Sequence, residues 1–167
     1  MFLTIFAALI ALQRFLELRL SRDDGFALRA KGAYERGAGH YPLVVALHAA
    51  WLSSMLVEGW WRGAVLSPLW LVWVALFLGG QALRYWAILS LGERWTTSVM
   101  VLPGAPLVES GPYKFVRHPN YLAVALEIFA APLMFGAWIT ALAFTLLNAG
   151  VLLMRIRAEE RALREVN

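Results

Sequence analysis

The sequence contains no cysteine, which excludes a disulfide framework, thiolate metal sites and cysteine nucleophiles. Histidine is scarce as well. His40, His48 and His118 lie too far apart for metal-ligand spacing, and no metal site is expected. Charge is thin: 16% of the 167 residues are charged, against 60% hydrophobic, with eight Trp, nine Phe and a mean hydropathy of +0.62. A soluble domain of this size could not hide that much apolar surface, so the composition points to an integral membrane protein. Repeats, low-complexity segments and flexible linkers are also missing, which leaves a single domain over residues 1–167. The net charge of +4 does not argue for nucleic acid. The basic residues sit at the ends of apolar segments, where membrane orientation accounts for them.

What is there is a set of five apolar stretches, near 2–20, 41–61, 68–90, 120–136 and 137–155, each close to the roughly 20 residues that cross a bilayer. The first has neither a basic leader nor a small-residue cleavage site and reads as a retained span rather than a signal peptide. Basic residues gather in the first connection (Arg19, Arg22, Arg29, Lys31, Arg36), in the third (Arg84, Arg94, Lys114, Arg117) and in the tail (Arg155, Arg157, Arg161, Arg164), whereas Arg62 stands alone on the other side. The positive-inside rule then puts the N-terminus outside and the C-terminus in the cytoplasm. The expected fold is an all-α membrane protein of about five spans. The last two form a tight hairpin turning at Phe135-Gly136-Ala137, followed by a short cytoplasmic C-terminal helix. The connection Ser90 to Tyr113, rich in Gly, Pro and Thr, is expected to be a structureless functional loop.

Two polar clusters stand out against this background. Arg117-His118-Pro119-Asn120-Tyr121 places guanidinium, imidazole, amide and phenol groups within one turn, although Pro119 also suits an ordinary helix start and Tyr121 an interfacial anchor. Arg155 and Glu159, four apart, share a helix face; that pair reads either as a solvated ion pair or as an inward-facing site. The hairpin would bring the two clusters together. Within the spans, Glu127 is isolated from other charge in sequence, and an ionisable group at that depth faces a partner or a cavity; Arg84 or Gln81 could be the partner. His40, in Gly37-Ala38-Gly39-His40-Tyr41-Pro42, reads as part of a turn or as a substrate contact, and Glu127 is a second candidate substrate residue.

The string Leu107-Val108-Glu109-Ser110-Gly111-Pro112-Tyr113, then Arg117 to Tyr121, then Arg155 through Glu159-Glu160 to Leu163, resembles the isoprenylcysteine carboxyl methyltransferase family. Gln81 to Trp86 and Leu91 to Thr96 also fit its pattern. The N-terminal half is similar to small bacterial members associated with type III polyketide synthases, which methylate alkylpyrones. The resemblance implies an S-adenosylmethionine site over about residues 91–167. Leu107, Val108, Tyr113, His118, Pro119, Asn120, Tyr121 and Glu159 would contact the cofactor, and Arg155, the catalytic candidate, the methyl acceptor. The family's usual aromatic and basic tail is absent after Glu160, so the pocket is expected to be more open, or closed by the Arg19-to-Gly39 loop. The implied activity is O-methyl transfer to an anionic carboxylate or enol of a lipophilic acceptor, in the bacterial inner membrane. The implied partners are the bilayer, the lipophilic substrate and a functionally linked polyketide synthase. A sterol-type reductase using reduced nicotinamide, a phospholipid N-methyltransferase and a non-enzymatic membrane protein are the alternatives.

Overall fold

The computed structural model describes residues 1–36, 39 and 41–164, with Leu163 as backbone only. Among the described residues there are five α-helices: α1 (Phe2–Ala30), α2 (Tyr41–Trp61), α3 (Trp70–Leu91), α4 (Pro119–Met134) and α5 (Trp138–Arg164). Two short strands, β1 (Tyr34–Arg36) and β2 (Val99–Val101), pair antiparallel with Tyr34 opposite Val101. By length and composition, three helices are apolar enough to cross a membrane: Tyr41–Trp61, Trp70–Arg94 and Trp138–Ala162. Helix α4 is apolar but has only 16 residues, a rise of about 24 Å. Helix α1 has the length, yet Gln13, Arg14, Glu17 and Arg19 interrupt its apolar run.

Three boundaries depart from the sequence expectation. The Ser21-to-Ala30 segment, expected as connection, continues α1, and the helix stops only at Lys31-Gly32. Ser-Arg-Asp-Asp is polar, but Phe26-Ala27-Leu28-Arg29-Ala30 are good helix formers, and Leu28 is buried. The loop from Ser90 to Tyr113 is not structureless. It contains a 3-10 turn at Gly92–Arg94, strand β2, and a second 3-10 turn at Gly111–Lys114. Its central part is held from α1, where the Ser21 hydroxyl accepts the Thr97 N–H at 2.8 Å. Finally, there is no separate C-terminal helix among the described residues: Arg155-Ile156-Arg157-Ala158-Glu159-Glu160 has neither Gly nor Pro to stop α5, which runs on to Arg164.

Local chemistry explains how α4 and α5 meet. Pro132 has no N–H for the carbonyl of Ile128, one turn back; the Trp51 indole of α2 donates to that carbonyl instead, at 3.1 Å. The Ala137 N–H returns to the Pro132 carbonyl at 3.0 Å and the Gly136 N–H to Leu133 at 3.3 Å, with Gly136 at φ +68°. This pattern closes a helix with a left-handed glycine and turns the chain at once. Ala137 offers no side-chain cap for α5, and Glu58 supplies one from α2. Its carboxylate accepts from the Ile139 N–H (3.1 Å), the Thr140 N–H (2.6 Å) and the Thr140 hydroxyl (2.7 Å), and is held by Arg62 at 2.9 Å. A carboxylate at a helix N-terminus satisfies orphan donors and meets the positive end of the dipole.

The core joins Leu3, Ala7 and Ile10 of α1 with Trp51, Met55, Phe77, Val124, Ile128 and Met134. Helices α3 and α4 approach closely at Gly80, where an added Cβ would lie 3.2 Å from Leu126 Cβ and 3.3 Å from the Ala123 carbonyl. One turn further along α3, this approach sets Arg84 against Glu127. The outer faces remain apolar; Leu89 and Leu146, for example, are 80% and 75% exposed.

Candidate active site

Tyr121, in the first turn of α4, donates its phenol hydrogen to Glu159 of α5 at 2.7 Å. The N-terminal end of α4 therefore faces the C-terminal part of α5, and the two polar motifs of the sequence meet. The His118 ring, at the N-cap of α4, stacks on Tyr121 with centroids 5.4 Å apart and planes at 23°. Its two nitrogens lie 3.8 Å from Glu159 and from Glu160, beyond hydrogen-bond reach. The Arg155 guanidinium sits over the opposite partner of this group, 5.7 Å from the Tyr121 ring centroid. Its Nη2 donates to the Thr97 carbonyl at 2.6 Å. Thr97 is itself fixed by Ser21, through its N–H and through a 2.8 Å contact between the two hydroxyls. Helix α1, the loop and α5 are thus stitched together at Thr97, beside the β1–β2 ribbon.

Tyr113 is half-buried in the 3-10 turn before α4, and Pro119 is buried at its first position. Burial raises the Tyr113 phenol above its usual pKa, with the Glu159 charge adding to the effect, so Tyr113 stays a neutral hydroxyl. Leu107 is exposed and Val108 half-buried on the open loop, which Arg94 pins by donating to the Pro106 carbonyl at 2.7 Å. Hydrogen bonds and ring contacts among the described residues join His118, Tyr121, Arg155 and Glu159; they do not tie in Leu107 or Val108. His40 lies outside the described residues.

Asn120 points in another direction. Its side-chain oxygen accepts from Arg84 at 3.4 Å, which links the motif to a buried ion cluster between α1, α3 and α4. Arg84 grips Glu127 with two nitrogens, at 2.8 and 2.7 Å. Arg14 reaches the same carboxylate at 2.7 Å and Glu17 at 2.6 Å. Gln13 donates to Glu17 at 3.0 Å and exchanges hydrogen bonds with Gln81 at 2.7 and 3.2 Å. Glu127 finds the expected Arg84, and in addition Arg14, which no sequence feature points to. With three contacts already on its two oxygens, Glu127 has little capacity left for a substrate. Sequence reasoning also missed Thr97 and Ser21. The unusual Thr96-Thr97-Ser98 run in an otherwise apolar chain was the available signal.

The two clusters differ in how fully they are satisfied. Among the described residues, the buried polar atoms without a hydrogen-bond partner are His118 Nε2 and Arg155 Nε in the α4–α5 cluster, Trp95 Nε1 two residues before Thr97, Arg14 Nε in the ion cluster, and Thr145 Oγ1. Buried polar groups are ordinarily paired, because an unmade bond costs about 1–3 kcal/mol. Two of these atoms, His118 Nε2 and Arg155 Nε, lie beside a carboxylate and a phenol, a grouping that suits a polar ligand with both donors and acceptors. The donor set suits S-adenosylmethionine, with Glu159 and Tyr121 available to its amine or hydroxyl groups and the stacked rings to its flat base.

The model of the isoprenylcysteine carboxyl methyltransferase (ICMT) family matches residues 73–165, which hold most of α3, all of α4 and α5, and His118, Tyr121, Arg155 and Glu159. The protein YpbQ of Bacillus subtilis is 41% identical over 158 residues, covering 95% of this chain and 94% of the relative. A protein of Haemophilus influenzae is 30% identical over 164 residues, covering 98% and 95%. Both relatives are described as uncharacterized. No solved structure matches the chain.

Proposed function

Since the chain belongs to the isoprenylcysteine carboxyl methyltransferase family, whose members use S-adenosylmethionine as methyl donor, we propose that it is a membrane-embedded O-methyltransferase acting on an anionic oxygen of a lipophilic acceptor. The family match favours methyl transfer over reduction by a nicotinamide or transfer to a phospholipid amine. In this reading α1 and α4 cross the bilayer with the other three helices, the N-terminus is outside and the site faces the cytoplasm of a bacterial inner membrane. The clustering of Arg19, Arg22, Arg29, Arg94, Lys114, Arg117 and Arg157 toward one end of the helices supports that orientation.

The observation that carries the proposal is the placement of Arg155 over the ring of Tyr121, which bonds Glu159, with the Arg155 Nε buried and unpartnered. When bound, S-adenosylmethionine supplies a methyl carbon on a sulfonium sulfur and is left as the thioether once an anionic oxygen has taken that carbon. His118, Tyr121 and Glu159 would hold the cofactor, with Leu107, Val108, Tyr113, Pro119 and Asn120 as further contacts. Arg155 holds the acceptor anion. A guanidinium cannot serve as an acid at ordinary pH but can grip an oxyanion through the donors that Thr97 leaves free. The acceptor needs no strong base, because a carboxylate or an acidic hydroxypyrone enol is already ionised near neutrality. The protein contributes alignment and the exclusion of water that would blunt the nucleophile. The acceptor we favour is an alkylpyrone enol from a type III polyketide synthase, with a prenylcysteine carboxylate as the competing substrate.

The test is transfer of labelled methyl from S-adenosylmethionine by the purified protein, with alkylpyrones and prenylcysteines offered side by side. Methylation of either supports an O-methyltransferase and identifies the acceptor. Labelling of neither, by protein that binds S-adenosylhomocysteine, would sink the acceptor assignment.

A further inference from the structure

The ion cluster between α1, α3 and α4 is costly, and its position suggests a use. Arg84 is 3% exposed and Glu127 is 3% exposed, at a depth where ionised groups are retained only when fully paired. Asn120 and Glu127 are seven residues apart on α4 and so share one face of that helix. Arg84 meets both. Its Nε and Nη2 are taken by Glu127, and its Nη1 edge is left to face Glu17 at 3.5 Å and Asn120 at 3.4 Å. Arg14 holds Glu127 and Glu17 in turn. Two guanidinium groups and two carboxylates thus balance in charge, and the grip of Nε and Nη2 on Glu127 leaves Nη1 of Arg84 turned toward Asn120.

This arrangement has a consequence for Asn120. An amide side chain has a donor end and an acceptor end of nearly the same shape, and its neighbours decide which way it turns. A guanidinium can only donate. The end facing Arg84 must be the oxygen, and the NH2 group is turned away from the cluster, where no described residue accepts from it. Asn120 lies in the same turn of α4 as His118 and Tyr121, the stacked pair of the site, on the adjoining face. We propose that Arg84, locked by Glu127 and Arg14, is a positioning residue that presents the Asn120 NH2 as a hydrogen-bond donor to an acceptor atom of bound S-adenosylmethionine. The class of acceptor is a carboxylate, hydroxyl or ring nitrogen. This rests on the cofactor-site reading above. It gives the buried cluster a role in recognition in addition to holding three helices together.

Asn120→Asp separates the two roles. The carboxylate keeps the size of the amide and strengthens the contact with Arg84, but it has no hydrogen to donate. Calorimetric titration with S-adenosylhomocysteine, beside melting of the same detergent-purified samples, is the measurement. The expected result is a melting temperature equal to or above wild type with affinity weakened roughly tenfold or more. Arg84→Lys is the second probe: it keeps a charge beside Glu127 but loses the fork that reaches Asn120. It is expected to weaken binding several-fold beyond anything its melting temperature accounts for. A purely structural cluster would move melting and leave the affinity of the folded fraction alone. Wild-type affinity in Asn120→Asp, or in folded Arg84→Lys, overturns the positioning role while the site reading stands. Absence of binding to the wild-type protein itself would remove the site reading and this inference with it.

Discussion

Two charged clusters lie within a few turns of each other, and they are built on opposite principles. The Arg14–Glu17–Arg84–Glu127 cluster is nearly closed: its charges balance and four contacts of 2.6–2.8 Å tie its guanidiniums to its carboxylates, leaving Arg14 Nε as its one buried nitrogen without a partner. The His118–Tyr121–Arg155–Glu159 cluster is open. It has one short internal hydrogen bond, two imidazole contacts stretched to 3.8 Å, and buried nitrogens with no partner. The same residue types therefore serve two ends. Where opposite charges grip one another, charge fixes the helices; where the contacts are long and the nitrogens unmet, that capacity is available to a ligand. Asn120 sits at the seam and belongs to both.

The sharpest way to break this contrast is to open the closed cluster. Glu127→Ala leaves two guanidiniums sharing Glu17, an excess charge with no water to receive it. A loss of about 3–5 kcal/mol in stability is expected, read as a large drop in melting temperature or in folded yield. Opening the other cluster should cost function first. Arg155→Ala is expected to reduce methyl transfer by roughly 10²–10³-fold, the scale of removing one donor aimed at a reacting oxygen, while cofactor affinity stays within a few-fold of wild type. Tyr121→Phe removes the phenol hydrogen from Glu159, and S-adenosylhomocysteine binding should weaken roughly tenfold, with a small change in melting. The smallest effect is expected at the far end of the molecule, where Glu58→Gln keeps the shape of the α5 cap but not its charge. That change should lower stability by about 1 kcal/mol and leave cofactor binding untouched.

The open cluster was the legible part of the sequence. Its residues lie in two short local motifs, and a turn at Gly136 suffices to bring them together. The closed cluster was legible only by half. Glu127 announced itself as a lone acid in an apolar run, and Arg84 could be named because it and Gln81 are polar groups within the apolar stretch that becomes α3. Arg14, 113 residues away from Glu127, had an obvious local partner in Glu17, and nothing in the sequence says that its second nitrogen turns to α4. The strands β1 and β2 are three residues each, too short to show alternation, and their pairing depends on α1 extending to Ala30. That extension was hidden by the polar Ser21-Arg22-Asp23-Asp24 run, which has the composition of a loop while the residues after it have the propensity of a helix. The grip of Arg155 on the Thr97 carbonyl was illegible for a different reason, since a backbone acceptor carries no signature in the side-chain sequence.

The central claim is a division of labour within the open cluster: His118, Tyr121 and Glu159 for the cofactor, Arg155 for the acceptor. It is tested most directly by titrating S-adenosylhomocysteine into wild-type, Glu159→Gln and Arg155→Ala protein under one set of conditions. The account predicts binding by the wild type, near-normal binding by Arg155→Ala, and a loss of roughly tenfold or more in Glu159→Gln. Strong binding by Glu159→Gln together with loss of binding in Arg155→Ala would contradict it.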